Sequence, residues 1–210
     1  MQLLIVGATG LVGSQVLQQA LADSRITRVV APVRRALPAH PQLSAPVVDF
    51  EHLPEDADWW QADAVVCTLG TTIRTAGSQA AFRRVDHDYP LLAARLARRH
   101  GTPTYVLNSA MGADARSRIF YNRVKGELEH DLQGEGFTSL TFVRPGLISG
   151  PRTEHRAGER TMVTVLGALG PLLPRRWRLN PAHRIAQALI DAALRAEPGI
   201  HAVGSEALAE

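Results

Sequence analysis

The sequence predicts a doubly wound α/β domain, a parallel sheet with helices on both faces. Three observations carry that prediction. Short strands alternate with helical segments along most of the 210 residues. The strands are continuously apolar rather than alternating, as strands covered on both faces are. The first of them runs into a glycine-rich turn that opens a helix.

Taken in order, residues 2–6 read as a short apolar strand ended by Gly7. After the turn Gly7-Ala8-Thr9-Gly10-Leu11-Val12-Gly13, the residues Leu11, Val12, Val16, Leu17, Ala20 and Leu21 recur at helical spacing as far as Asp23-Ser24. Residues 26–33 give a second strand, closed by Arg34-Arg35, and 46–50 a short third one. Residues 64–69 form a fourth strand, running into Gly70. Residues 78–100 are helical, with a break or kink at Pro90, a cap at Asp88 and a stop at Gly101. A fifth strand covers 104–109, a helix 117–133, and a sixth strand 140–143, closed by Arg144-Pro145-Gly146. Residues 151–180 are irregular around a short apolar helix near 162–169. An amphipathic helix over 182–195 and a strand near 200–203 complete the chain. Right-handed crossovers turn this order into one doubly wound sheet. We expect a single domain over residues 1–210, with 151–180 as a lid in which Arg152, Glu154, Arg156 and Glu159 could close over a substrate; the alternative is a solvated loop.

Composition narrows the function classes. The chain is 45% hydrophobic and 20% charged, as soluble globular domains are. Cys67 is its only cysteine, so no intramolecular disulfide can form and a reducing compartment fits. With no basic apolar leader and no run of about 18–20 apolar residues, the expectation is a cytoplasmic protein without a membrane partner. The net charge of +3 hides a sequence pI of about 9.6, and arginines pair up at 34–35, 83–84 and 98–99. Aromatics make up only 5%, too few for a nucleic-acid surface, so most of these arginines read as a solvated face. The eight histidines show no metal-ligand spacing, so no metal is expected. Cys67 ends a buried strand and reads as a small hydrophobe, and Trp59-Trp60 as packing onto the sheet.

The chemistry concentrates in three places. The first is the loop from Gly7 to Gly13, where glycine lets backbone turn tightly against a phosphate and the following helix offers its N–H groups. It follows the first strand and opens a helix, the context a dinucleotide-binding turn requires. The second is the end of the second strand, where an acid would bind a ribose hydroxyl and arginine accommodates a 2′-phosphate. Arg34-Arg35 stand there with no acid until Asp49, which favours NADP(H) over NAD(H); the alternative is that both arginines face water. Asp49 and Phe50 close the third strand, within reach of an adenine, although Asp49 could equally cap a turn. The third is Tyr121-Asn122-Arg123-Val124-Lys125. Of 23 basic residues, Lys125 alone is lysine, and it lies four residues after a tyrosine. On a helix the two share a face about 5–6 Å apart, and an ammonium beside a phenol favours its ionised form.

The glycine turn with Tyr-x-x-x-Lys downstream resembles the short-chain dehydrogenase/reductase superfamily, and Ser109, at the end of the fifth strand, completes its Ser-Tyr-Lys set. The segments Cys67-Thr68-Leu69-Gly70-Thr71-Thr72, Phe82-Arg83-Arg84-Val85-Asp86-His87-Asp88-Tyr89 and Phe120-Tyr121-Asn122-Arg123-Val124-Lys125-Gly126-Glu127 are similar to the Tat-interacting-protein-type oxidoreductases of its atypical branch. The resemblance implies a Rossmann fold and NADP(H)-dependent hydride transfer to or from a small carbonyl or alcohol. It implies Tyr121 as general acid/base, Lys125 on the nicotinamide ribose and lowering the Tyr121 pKa, and Ser109 on the substrate carbonyl. It places Thr9, Gly10, Leu11 and Val12 along the pyrophosphate, Leu69, Gly70 and Thr71 under the cofactor, and Pro145 and Leu147 near the carboxamide. The superfamily's catalytic asparagine has no clear counterpart; Asp86 or His87 lies in that region. Two other readings stay open: an NADPH-binding redox-sensing protein with a protein partner and little catalysis, and an epimerase holding NAD. Oligomeric state is not legible.

Overall fold

The structure is a computed structural model that describes residues 1–150 and 174–209. The proposed lid from 151 to 173, with its short helix near 162–169, lies outside the described residues. Seven parallel strands form the main sheet: β1 (Gln2–Val6), β2 (Arg28–Val30), β3 (Leu43–Ser44), β4 (Ala64–Cys67), β5 (Thr104–Asn108), β6 (Ser139–Arg144) and β9 (Gly199–Gly204), in the order β3-β2-β1-β4-β5-β6-β9. The chain winds outward from β1 in one direction and then from β4 in the other. The crevice between β1 and β4 is therefore the topological switch point, where ligands bind in such sheets. In register, Val6 faces Cys67 there.

The inner strands alternate their apolar side chains between two cores. Leu3 and Ile5 face α1 (Leu11–Ala22) and α6 (Ala182–Arg195), in a cluster with Val16, Val106, Ile185 and Leu189. Leu4 and Val6 face α4 (Tyr89–Arg99) and α5 (Phe120–Gln133), with Trp60, Leu107, Leu128 and Phe142. This double burial is why the strands read as unbroken apolar runs. Trp60 is fully buried and its indole N–H donates to the Pro54 carbonyl at 2.8 Å, the packing role expected for the pair. Cys67 is buried as well, and burial pushes its thiol pKa up, as befits a small hydrophobe.

Several boundaries differ from the sequence expectation. The second strand stops at Val30, and β3 lies at residues 43–44 rather than 46–50; the expected segment touches the second strand only through a Val33–Val47 bridge. A short helix, α2 (Ile73–Ala76), capped by Thr72, was not expected after β4. The helix over 78–100 does not restart at a cap on Asp88, whose backbone is right-handed helical. Instead α3 (Gln79–Arg83) passes through a π-turn, Arg84–Asp88, into α4. Pro90 has no N–H to give to the ladder, and the wider turn ahead of it keeps the chain helical. That turn buries Asp86 and His87. Downstream, α5 begins at Phe120, three residues later than expected, and a two-stranded ribbon, β7 (Ile148–Ser149) with β8 (Asn180–Pro181), joins the two ends of the undescribed segment.

Candidate active site

A cavity of about 670 Å³ lies at the carboxyl ends of β1, β4, β5 and β6. One wall is the turn after β1. Gly7 is there because its φ is +94° and a Cβ would sit 2.7 Å from the Leu69 nitrogen. Gly13 is there because a Cβ would strike the Gly7 carbonyl. Together they bring the start of α1 hard against the strand ends, and Thr9, Gly10, Leu11 and Val12 line the cavity as expected. Helix α1 has no side-chain cap at Gly10 and no acid in its first turn. Its first N–H groups and the positive end of its dipole are thus left to an anion from elsewhere. A Cβ on Gly10 would meet nothing nearer than the Gly7 carbonyl at 3.5 Å, so there is room beside the turn. These features fit the pyrophosphate of a dinucleotide.

The facing wall is built from side chains. Tyr121 and Lys125 lie one turn apart on α5 and both line the cavity. Lys125 is almost wholly buried, and its Nζ is 2.8 Å from Asp86 Oδ1. Asp86 comes from the π-turn and is held in place by the Thr71 N–H, which donates to Oδ2 at 2.8 Å. Burial opposes the Lys125 charge, yet Asp86 beside it leaves the ammonium pKa above its ordinary value. Burial also pushes the Asp86 carboxyl up, with Lys125 acting against the rise.

Two expectations about this wall need correction. The Tyr121 pKa is raised, not lowered: burial of the phenol acts most, Lys125 works against it, and Asp86 partly cancels Lys125. And Ser109, although it lines the cavity, does not extend its proton toward a substrate. Its Oγ donates to Glu129 Oε1 at 2.5 Å. Glu129 is buried and is gripped by Arg144, whose Nε and Nη2 donate at 3.0 and 2.5 Å. This arrangement also holds the Arg144 guanidinium above its ordinary pKa.

The remaining expected residues divide. Leu69, Gly70, Thr71 and Leu147 line the cavity; Pro145 is buried behind it, its carbonyl accepting the Met111 N–H. Arg34 and Arg35 are exposed just past β2, outside the cavity lining, with no ion pair among the described residues. Asp49 is exposed and caps its own turn, accepting the Glu51 N–H and meeting His52 at 3.0 Å; Phe50 packs inward against Tyr89. The structure thus gives Asp49 the turn-capping role. Residues the sequence reading did not place in the site are Ser14, Thr68, Thr72, Thr75, Asn108, Gly146 and Ile148. Asp86 was legible only as a departure from the superfamily pattern.

Comparison with known proteins agrees with this geometry. A family model described as NAD(P)H-binding matches residues 7–168. The chain is 34% identical over 215 residues to Protein fmp52, mitochondrial, of Emericella nidulans, covering 96% of this chain and 91% of that one. It is 38% identical over 170 residues to Protein HTATIP2 of Rattus norvegicus, covering 79% of this chain and 70% of that protein. Among solved structures, MoeE5 in complex with UDP-glucose and NAD superposes with a TM-score of 0.74 at 16% identity, over 97% of this chain and 76% of that one. The oxidoreductase ylbE from Lactococcus lactis does so with 0.68 at 17% identity, over 96% and 89%. At such identities the structures show the fold alone. The mitochondrial names of the fungal relatives overturn the expectation of a cytoplasmic protein.

Proposed function

Because this chain belongs to the NAD(P)H-binding, atypical short-chain dehydrogenase/reductase family, we propose that it is an NADP(H)-dependent oxidoreductase acting on a small carbonyl or alcohol. One observation carries the reading: Tyr121 and Lys125 open into the same cavity as the first turn of α1. Gly10, Leu11 and Val12 would hold the pyrophosphate of a dinucleotide, and the cavity leads from them to the phenol. When bound, the cofactor supplies the hydride chemistry. The protein's part is orientation and a proton. Lys125 spends one of its three donors on Asp86 and keeps the others for ribose hydroxyls. Tyr121 exchanges a proton with the substrate oxygen. Gly70 lines the cavity without a side chain, and an added Cβ would make only an ordinary contact with Asp86 Oδ1 at 3.4 Å, so what the glycine leaves is room for the cofactor. Arg34 and Arg35, exposed beyond β2, are the groups for a 2′-phosphate.

Turnover of a panel of small carbonyls with NADPH tests the reading. Wild-type activity that disappears in Tyr121→Phe supports it; activity indifferent to that change contradicts it. One observation favours a second reading, a cofactor-sensing protein with little catalysis. The Ser109 proton is committed to Glu129, which weakens the grip on a substrate carbonyl. NADPH binding without turnover of any carbonyl would select that reading.

A further inference from the structure

Ser109 is buried at the end of β5 and lines the cavity, yet no group among the described residues donates to its Oγ. We propose that Glu129, clamped by Arg144, makes Ser109 a hydrogen-bond acceptor toward the cavity, and that the site therefore takes carbonyl compounds with a hydroxyl on the carbon beside the reacting one. This deepens the proposed function by naming a substrate class, and it rests on Tyr121 as the proton-transfer group.

The polarity of the contact follows from where protons can be. Ser109 Oγ lies 2.5 Å from Glu129 Oε1. Arg144 carries a permanent charge and only donors. It grips both carboxyl oxygens, Nε on Oε1 at 3.0 Å and Nη2 on Oε2 at 2.5 Å. Held in this way Glu129 is a carboxylate, which can only accept. The single Ser109 proton therefore points at Glu129, and what the hydroxyl still offers to the cavity is lone pairs. The clamp is closed from two elements, α5 and the end of β6, and Glu129 is 4% exposed.

The place of Ser109 decides which ligand oxygen it meets. Tyr121, Lys125 and Glu129 follow at intervals of four along one face of α5. Ser109 is tied to the last of them, two turns from the tyrosine. In the proposed reduction Tyr121 gives its proton to the carbonyl oxygen, so it is not the donor that Ser109 needs. A hydroxyl further along the ligand is such a donor. A plain ketone leaves the Ser109 lone pairs unmet in a closed site, and a buried acceptor without a partner is costly.

Hydroxyacetone and methoxyacetone test the proposal. Each has an oxygen beside the carbonyl with a similar pull on its electrons, and only the first has a proton to give. With NADPH the wild type should show kcat/KM about tenfold higher for hydroxyacetone, the worth of one buried hydrogen bond. In Ser109→Ala that preference should vanish. In Glu129→Gln the amide N–H can donate to Ser109 while its carbonyl keeps accepting from Arg144. The Ser109 proton is then free to face the cavity, and the preference should vanish or reverse. A merely structural role for Glu129 would lower activity on both ketones together and leave their ratio unchanged. Glu129→Gln also alters no volume, so a preference set by the size of the methyl group would survive it. A wild type that treats the two ketones equally, or prefers methoxyacetone, overturns the proposal whether or not the variants fold. So does a preference that persists in either variant. Binding of the same two ketones, followed by ligand-observed NMR with and without NADPH, needs no turnover. Tighter binding of hydroxyacetone by a protein that reduces neither would sink the proposed function and uphold the acceptor at Ser109; equal binding by such a protein would overturn both.

Discussion

The two walls of the cavity are built on different principles. The wall after β1 is backbone: seven consecutive residues, no charge, shaped by glycines whose missing Cβ atoms let α1 close on the strand ends. The wall facing it is side chains, delivered by a π-turn, by α5 and by the ends of β5 and β6. There two carboxylates, Asp86 and Glu129, hold Lys125 and Ser109 in place. A backbone wall depends on what is absent from a few adjacent positions. A side-chain wall depends on pairs of residues far apart in the chain. Substitutions on the first should act through the room a Cβ finds, on the fold where it is filled and on the cofactor where it is open, whereas those on the second should act through the partner they strand or the proton they remove.

The sharpest separation is expected at Tyr121. Tyr121→Phe removes the proton and should cost about 10²–10⁴ in turnover, with NADPH affinity in a fluorescence titration nearly unchanged. Equal loss of both would erase the distinction between the walls. Next comes Glu129→Leu, which strands Arg144 and frees Ser109. Because Arg144 is only half-buried, the cost in a denaturant titration should be about 3 kcal/mol, the low end for breaking a buried pair. Ser109→Ala, which deletes one hydrogen bond of the three, should cost about 1 kcal/mol. If the two variants were equally stable, the Arg144 grip on Glu129 would be shown to contribute nothing.

On the backbone wall, Gly13→Ala pushes a methyl into the Gly7 carbonyl and should cost about 2 kcal/mol of stability. Gly10→Ala, with room for its Cβ, should leave the melting point close to wild type and weaken NADPH instead. A Gly13→Ala protein as stable as wild type would contradict the packing described for the turn. The smallest effect belongs to the exposed pair. Arg34→Ala with Arg35→Ala should reduce the preference for NADPH over NADH about tenfold, the worth of one charge-assisted contact. An unchanged preference would leave both arginines as plain surface.

The same contrast explains what the sequence disclosed. The sheet was legible because strands buried on both faces are uninterrupted apolar runs, and Leu3 to Val6 is one of them. The glycine turn was legible because its signal is local. Tyr121 and Lys125 were legible because helical spacing alone puts them together. Glu129 and Arg144 were not, although Glu129 sits one further turn along α5 from Lys125: no spacing rule says that Arg144, at the end of β6, will meet it. The raised Tyr121 pKa was missed for a related reason. The sequence shows the cation beside the phenol but neither the burial nor the carboxylate that outweigh it. Asp49 stayed open between two readings because an acid at a strand end can cap its own turn as readily as reach a ligand, and the turn is where its hydrogen bonds go. The compartment misled because a lone buried cysteine fits every reducing space, the cytosol being only one of them.

The central claim is that a nicotinamide dinucleotide phosphate lies across the start of α1 and ends at Tyr121. Thermal unfolding of the wild type with NADPH and, separately, with NADH tests it most directly. At 100 times its dissociation constant a ligand of the folded state adds about 2.7 kcal/mol, so NADPH should raise the melting temperature clearly, NADH at the same concentration should raise it less, and Gly10→Ala should shrink both shifts. A melting temperature that neither nucleotide moves would contradict the claim.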